Sequence, residues 1–188
     1  MFFRILFLFF VFVNLISNVK ANEKQLIIDE LKKINNLTFN FEQIIKSEIE
    51  IGSCLLVFNN KLKCYYKSKL KKEIIINNKT LVIWQKRYNK KYFYPVSKSP
   101  FINILNKKNL IELIEKSDLT LKQNIELMYL DKNKKITIFF EKNSYELIGW
   151  LIEDEFQNEI FFSIKIKKTN TQIEEKEFKI PSISKESN

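Results

Sequence analysis

The chain has 188 residues, enough for one domain with a sizeable core, and its 45% hydrophobic content is that of a globular protein, not a disordered one. Thirty-two Lys and Arg against 22 Asp and Glu leave a net charge of +10. The basic residues read as scattered and no nucleic-acid motif accompanies them, so nucleic acid is not expected as a partner; the plain reading is a solvated basic surface, with a weak attraction to anionic membranes as its functional counterpart.

The N-terminal stretch MFFRILFLFFVFVNLISNVKA carries one early charge, Arg4, then an apolar run from Ile5 to Val13, and ends in Val19-Lys20-Ala21. This is the layout of a cleaved secretory signal peptide over 1–21, with the mature domain over 22–188; the run is short for a membrane span, and an uncleaved anchor is the alternative. No Cys stands near the junction, so lipidation there is not expected.

The next segment, NEKQLIIDELKKI, places Leu26, Ile27, Leu31 and Ile34 at helical spacing. The period then changes. LTFNFEQII alternates Leu37, Phe39 and Phe41 against polar residues, as a half-buried strand does. GSCLLVF and KLKCYY follow, joined at Asn59-Asn60, and EIIIN and KTLVIW are joined at Asn77-Asn78, since Asn tolerates the left-handed conformation of a tight hairpin. KYFY closes this run. Ser-Pro at 99–100 reads as a helix start, with helices expected over 99–106 and 109–116. Strands are expected again over 118–130, 134–141, 145–153, 159–168 and 174–180. Consecutive strands with short turns predict an antiparallel meander of the α+β class.

Alternation puts Leu37, Phe39 and Phe41 on one face, and likewise Cys54, Leu56 and Phe58, and Leu62, Cys64 and Tyr66. Three short helices would cover a broad concavity only in part, which hints at an apolar cavity lidded by Phe101, Ile104 and Leu105; patterning alone favours an ordinary core. Cys54 and Cys64 stand ten residues apart across one hairpin. They share a face, and only one register sets them opposite each other, so a disulfide and two buried thiols both remain open, the thiols being favoured. With no His in the chain, His-dependent triads and His-ligated metal sites are excluded, and two Cys alone make no zinc site. No enzyme activity, cofactor or metal is expected.

In order, the helix, FEQ (Phe41 to Gln43), GSCLLVF, the NNKTL hairpin, SPFINIL, IEDEFQNEIFFSI and FKIP (Phe178 to Pro181) resemble the LolA family of lipoprotein carriers over nearly the whole mature chain. The resemblance implies an unclosed antiparallel β-barrel with a helical lid over an apolar cavity for lipid acyl chains, which reverses the preference for an ordinary core. Leu37, Phe39, Phe41, Leu56, Phe58, Leu62 and Tyr66 become candidate cavity residues, and Phe101, Ile104 and Leu105 the lid. It further implies a monomeric periplasmic chaperone that takes acylated lipoproteins from an inner-membrane LolCDE-type ABC transporter. The acceptor would be a LolB-type protein or the outer membrane itself. A lipid-binding or lipid-sensing module with another ligand is the alternative.

Three positions depart from the family pattern. Family members carry Arg-Pro six and seven residues after the second-strand Gly, and that Arg holds the lid; counting from Gly52, this chain has Phe58 and Asn59. Lys61 or Lys63 would have to substitute from elsewhere. Asn77-Asn78 replaces the usual Asp-Gly, and Gln157 stands where a Gly is expected after Asp154.

Overall fold

The computed structural model describes residues 22–98, 102–131, 134–153 and 158–182. Helix α1 spans 22–33 and buries Ile27, Ile28 and Leu31, while Leu26 is half-buried and Ile34 packs at the edge of the core. Six strands follow: β1 (Asn36–Ile45), β2 (Glu48–Val57), β3 (Lys61–Tyr66), β4 (Lys72–Asn77), β5 (Thr80–Gln85) and β6 (Lys90–Pro95). Then come α2 (Ile102–Leu105) and α3 (Lys107–Lys116). The chain returns to strands with β7 (Asp118–Leu121), β8 (Ile125–Asp131), β9 (Lys134–Phe140), β10 (Leu147–Glu153) and β11 (Glu159–Thr169).

All eleven strands form one antiparallel sheet in the order β6-β5-β4-β3-β2-β1-β11-β10-β9-β8-β7. It is curved and unclosed, so the expected α+β architecture holds. β6 and β7, consecutive in the chain, are its two free edges, and α2 and α3 lie on the connection between them. The hairpins turn as their asparagines predict: Asn59, Asn60 and Asn78 all have left-handed backbone, with φ of 80°, 72° and 54°.

Several expected boundaries are corrected. The strand expected over 118–130 is two strands, β7 and β8, because residues 122–124 turn the chain back. The strand expected over 174–180 is a 3-10 turn, Glu175–Phe178, held across β3 and β4 by the ion pairs Lys61–Glu175 and Lys63–Glu177 and by Asn77 Nδ2 donating to the Phe178 carbonyl at 3.2 Å. The second lid helix begins at Lys107, two residues early, because Asn106 caps it: its Oδ1 accepts from the Asn109 N–H at 3.2 Å. Ser99, Pro100 and Phe101 lie outside the described residues, as do residues 1–21, Asp154 and Gln157. Among the described residues no helix is long and apolar enough to cross a membrane.

The core lies on the concave face, in one cluster drawing on the helices and on strands from both halves of the sheet. Ile75, Val82 and Phe178 are buried but stand outside that cluster. Ile75 and Val82 pair across β4 and β5 with their side chains turned from the concave face. The C-terminal turn that packs on β3 and β4 brings Phe178 to this second, convex layer.

Candidate functional site

A cavity of about 140 Å³ lies between α2 and the first half of the sheet. Its walls come from alternate residues of β1 to β5: Phe39, Cys54 and Leu56, then Leu62, Cys64 and Tyr66, then Ile74, Ile76, Leu81 and Ile83. Trp150 and Phe162 close the far side, and Ile104 and Leu105 of α2 form the roof. The α2 backbone is tied down where β2 turns into β3, the Asn60 N–H donating to the Leu105 carbonyl at 3.3 Å.

The structure thus brings together Phe39, Leu56, Leu62, Tyr66, Ile104 and Leu105 of the expected site. Leu37, Phe41 and Phe58 are buried in the adjoining core and do not line the cavity. Sequence reasoning missed Ile74, Ile76, Leu81, Ile83, Trp150 and Phe162. For the first four the signal was weak because IIIN and TLVIW are continuous apolar runs with no alternation to name the inner face.

Cys54 and Cys64 sit directly opposite in the β2–β3 register and are joined as a disulfide in the cavity wall, with a Cα–Cα distance of 4.1 Å. The reading as two buried thiols is therefore corrected. The three-residue turn 58–60 sets the one register that allows the bond.

An aromatic column supports the floor. Trp150 stacks on Phe162 with centroids 4.6 Å apart, Phe162 on Phe41 at 4.8 Å, and Phe41 meets the Tyr66 ring edge-on at 4.8 Å. The column crosses β2 at Gly52, where a Cβ would stand 2.6 Å from the Phe41 ring and 2.1 Å from the Tyr65 carbonyl oxygen. At its end the Tyr66 hydroxyl donates to Gln43 Oε1 at 2.8 Å, so both buried polar groups have a partner. Burial, and then the Glu50 carboxylate, push the Tyr66 hydroxyl well above its ordinary value. Lys72 sits over the same ring, 3.9 Å from its centroid, and pairs with Glu50 at 2.5 Å.

The residues matched by the family of outer membrane lipoprotein carrier protein LolA are 32–181. The chain belongs to the LolA family. Solved structures share the fold at low identity. An uncharacterized conserved protein from Thermus thermophilus is 11% identical, with a TM-score of 0.51 over 84% of this chain and 93% of that one. Lipoprotein LppX from Mycobacterium tuberculosis is 10% identical, with a TM-score of 0.50 over 84% and 98%. MucB is 9% identical with a TM-score of 0.51, and the match covers 86% of this chain and 64% of MucB. No curated protein sequence matches the chain. LolA-family membership supports a lipid- or lipoprotein-binding fold.

Phe58 stands where the family resemblance expects a latch Arg. It is buried, and the Lys107 ammonium of α3 lies 5.3 Å from its ring centroid. Lys107 also donates to the Lys32 carbonyl, at 3.3 Å, near the end of α1. Desolvation lowers its pKa. The Lys107 cation of α3 thus faces the 58–60 turn. Lys61 and Lys63 do not substitute: they hold the C-terminal turn on the other side of the sheet.

Proposed function

We propose that this protein carries acylated lipoproteins through the periplasm, shielding their acyl chains in the cavity beneath α2. The observation that carries this reading is an apolar cavity of about 140 Å³ in a LolA-family sheet. Cavities near this size take a ligand the size of benzene. A lipoprotein's acyl chains are far larger, so α2 and α3 must move for cargo to enter. Each CH₂ then buried contributes about 0.8 kcal/mol, which is ample to drive opening. The donor is an inner-membrane LolCDE-type transporter, and the acceptor is a LolB-type protein or the outer membrane. No step requires catalysis or a cofactor. Export proceeds by cleavage after Ala21, giving a mature chain that starts at Asn22.

Purification from the periplasm followed by intact mass spectrometry tests this. A chain beginning at Asn22, bound to an acylated protein, is the expected result. A bound lipid with no protein attached would instead make it a lipid-binding module. Leu81→Trp fills the half-buried wall and should lower the affinity for an acylated peptide at least about tenfold, at a cost in stability of no more than about 1–3 kcal/mol. Unchanged affinity in that variant would mean that the cavity is only a packing defect.

A further inference from the structure

Two loops lie side by side at one end of the sheet: residues 67–71 between β3 and β4, and residues 86–89 between β5 and β6. Backbone hydrogen bonds join them, from the Arg87 N–H to the Leu70 carbonyl at 3.2 Å and from the Lys86 N–H to the Lys71 carbonyl at 3.4 Å. With the first strand residues beyond them, these segments read KSKLKK (67–72) and KRYNKK (86–91). Eight of the twelve positions are Lys or Arg and none is acidic, against 32 Lys and Arg in the 188 residues of the chain. The charge that read as scattered is therefore concentrated here by the fold. Lys67, Lys69, Lys71, Lys86, Arg87 and Lys90 are all exposed. Among the described residues the acidic groups that ion-pair with this cluster are Glu50, with Lys72, and Glu73, with Lys86.

Lysines on an edge strand commonly prevent sheet-to-sheet pairing. That accounts for Lys90 and Lys91 on β6 and not for Lys67, Lys69 and Lys71, which stand in an inner loop. Aromatic residues accompany the charge: Tyr88 is 56% exposed and Tyr92 41%. Tyrosine beside lysine is the side-chain mixture that settles at a membrane–water interface. The cluster also adjoins the cavity wall. Tyr66, which lines the cavity, immediately precedes Lys67, and the wall residue Ile83 pairs with Tyr92 three positions before Lys86.

We infer that the paired basic loops 67–72 and 86–91 are a docking face for an anionic lipid bilayer, bringing the cavity within reach of the headgroup layer. Its purpose rests on the carrier reading above; its existence does not. Each basic residue brought to an anionic surface is worth about a fivefold gain in partition. The contact is electrostatic and weakens when about 1 M salt shortens the Debye length to about 3 Å.

The test is co-sedimentation of the exported protein with vesicles of phosphatidylglycerol and phosphatidylethanolamine, against vesicles of phosphatidylcholine alone. The protein should follow the anionic vesicles and leave them in high salt. The variant Lys67→Glu/Lys69→Glu/Arg87→Glu/Lys90→Glu alters only exposed side chains, and its folding is checked by thermal unfolding. It should lose at least about a hundredfold in partition while binding an acylated peptide as before. Equal sedimentation with neutral vesicles, or an undiminished variant, overturns the proposal. Tighter retention on polyglutamate beads than on anionic vesicles overturns it in favour of an acidic protein partner. If the protein docks yet takes up no acylated peptide, the carrier reading fails and the docking face stands; uptake without docking is the converse.

Discussion

Leu127, Ile138 and Phe140, on β8 and β9, are at most 1% exposed on the concave face, whereas Leu62, Ile74, Leu81 and Ile83, on β3 to β5, are only half-buried there. Both halves are equally apolar. They differ in what covers them. α3 has ten residues, buries Leu110, Leu113 and Ile114, and packs on β8, with α1 fastened to its end by Lys24, which donates to the Glu115 carbonyl at 2.9 Å. α2 has four residues and presents Ile104 and Leu105. A concave sheet thus becomes a core or a cavity according to the length of helix laid on it, with no change in the sheet's own composition.

The most direct way to break this comparison is to truncate one residue in each half. Leu127→Ala or Ile138→Ala should cost about 2–5 kcal/mol in denaturant unfolding, because a close-packed site cannot collapse around the loss. Ile83→Ala should cost under about 1.5 kcal/mol, since its side chain still meets solvent and empty space. Equal costs would mean that the two halves are packed alike.

Removing the disulfide comes next. Cys54→Ala/Cys64→Ala opens a loop of ten residues and should cost about 2–3 kcal/mol. Hydrogen exchange should quicken over β2 and β3 and stay unchanged over β8 and β9. Quickening in both halves would show that the sheet opens as one unit.

Tyr66, on β3, sharpens the comparison within the first half. Tyr66→Phe leaves Gln43 without its donor and should cost about 1–2 kcal/mol at neutral pH. Because burial raises the folded-state pKa above the ordinary 10.0, the unfolded chain releases this proton first. The contribution of Tyr66 is therefore complete below pH 10 and is lost as pH rises above it. Wild-type stability should fall more steeply than that of Tyr66→Phe on the alkaline side; parallel curves would place the hydroxyl in contact with water.

The smallest effect concerns the roof. Lys107→Ala should cost under about 1 kcal/mol yet speed hydrogen exchange over α2 and α3. Phe58→Arg, which restores the family's cation, would set it against Lys107, so a tighter lid should appear only in Phe58→Arg/Lys107→Glu. An equally protected lid in Phe58→Arg alone would show that Lys107 does not govern it.

The inner face of β1 was legible from Leu37, Phe39 and Phe41 because the outer face of that strand is solvated and the alternation survives. In β4 and β5 the same period is hidden. Ile75 and Val82 are apolar and buried too, and the turn ending at Phe178, about a hundred residues on, packs on β3 and β4. That same burial made 174–180 read as a strand. The order of elements and the residues of the roof could be read locally. The disulfide depended on a single hairpin register, and the basic face depended on two loops meeting across β4 and β5.

The order of the sheet also governs how it can be made. Nine of its ten strand pairings join neighbours in the chain, and the tenth joins β1 to β11. Phe39 faces Ile166 and Phe41 faces Ile164 across that seam. As the chain emerges N-terminus first, hairpins β2 to β6 can form at once, but β1 keeps one hydrogen-bonding edge and its phenylalanines uncovered until residue 169 has appeared. Such a topology concentrates its contact order in one late event. Folding should therefore show a slow final step that a C-terminal truncation before Glu159 abolishes, and the nascent chain should be most prone to aggregation during that interval.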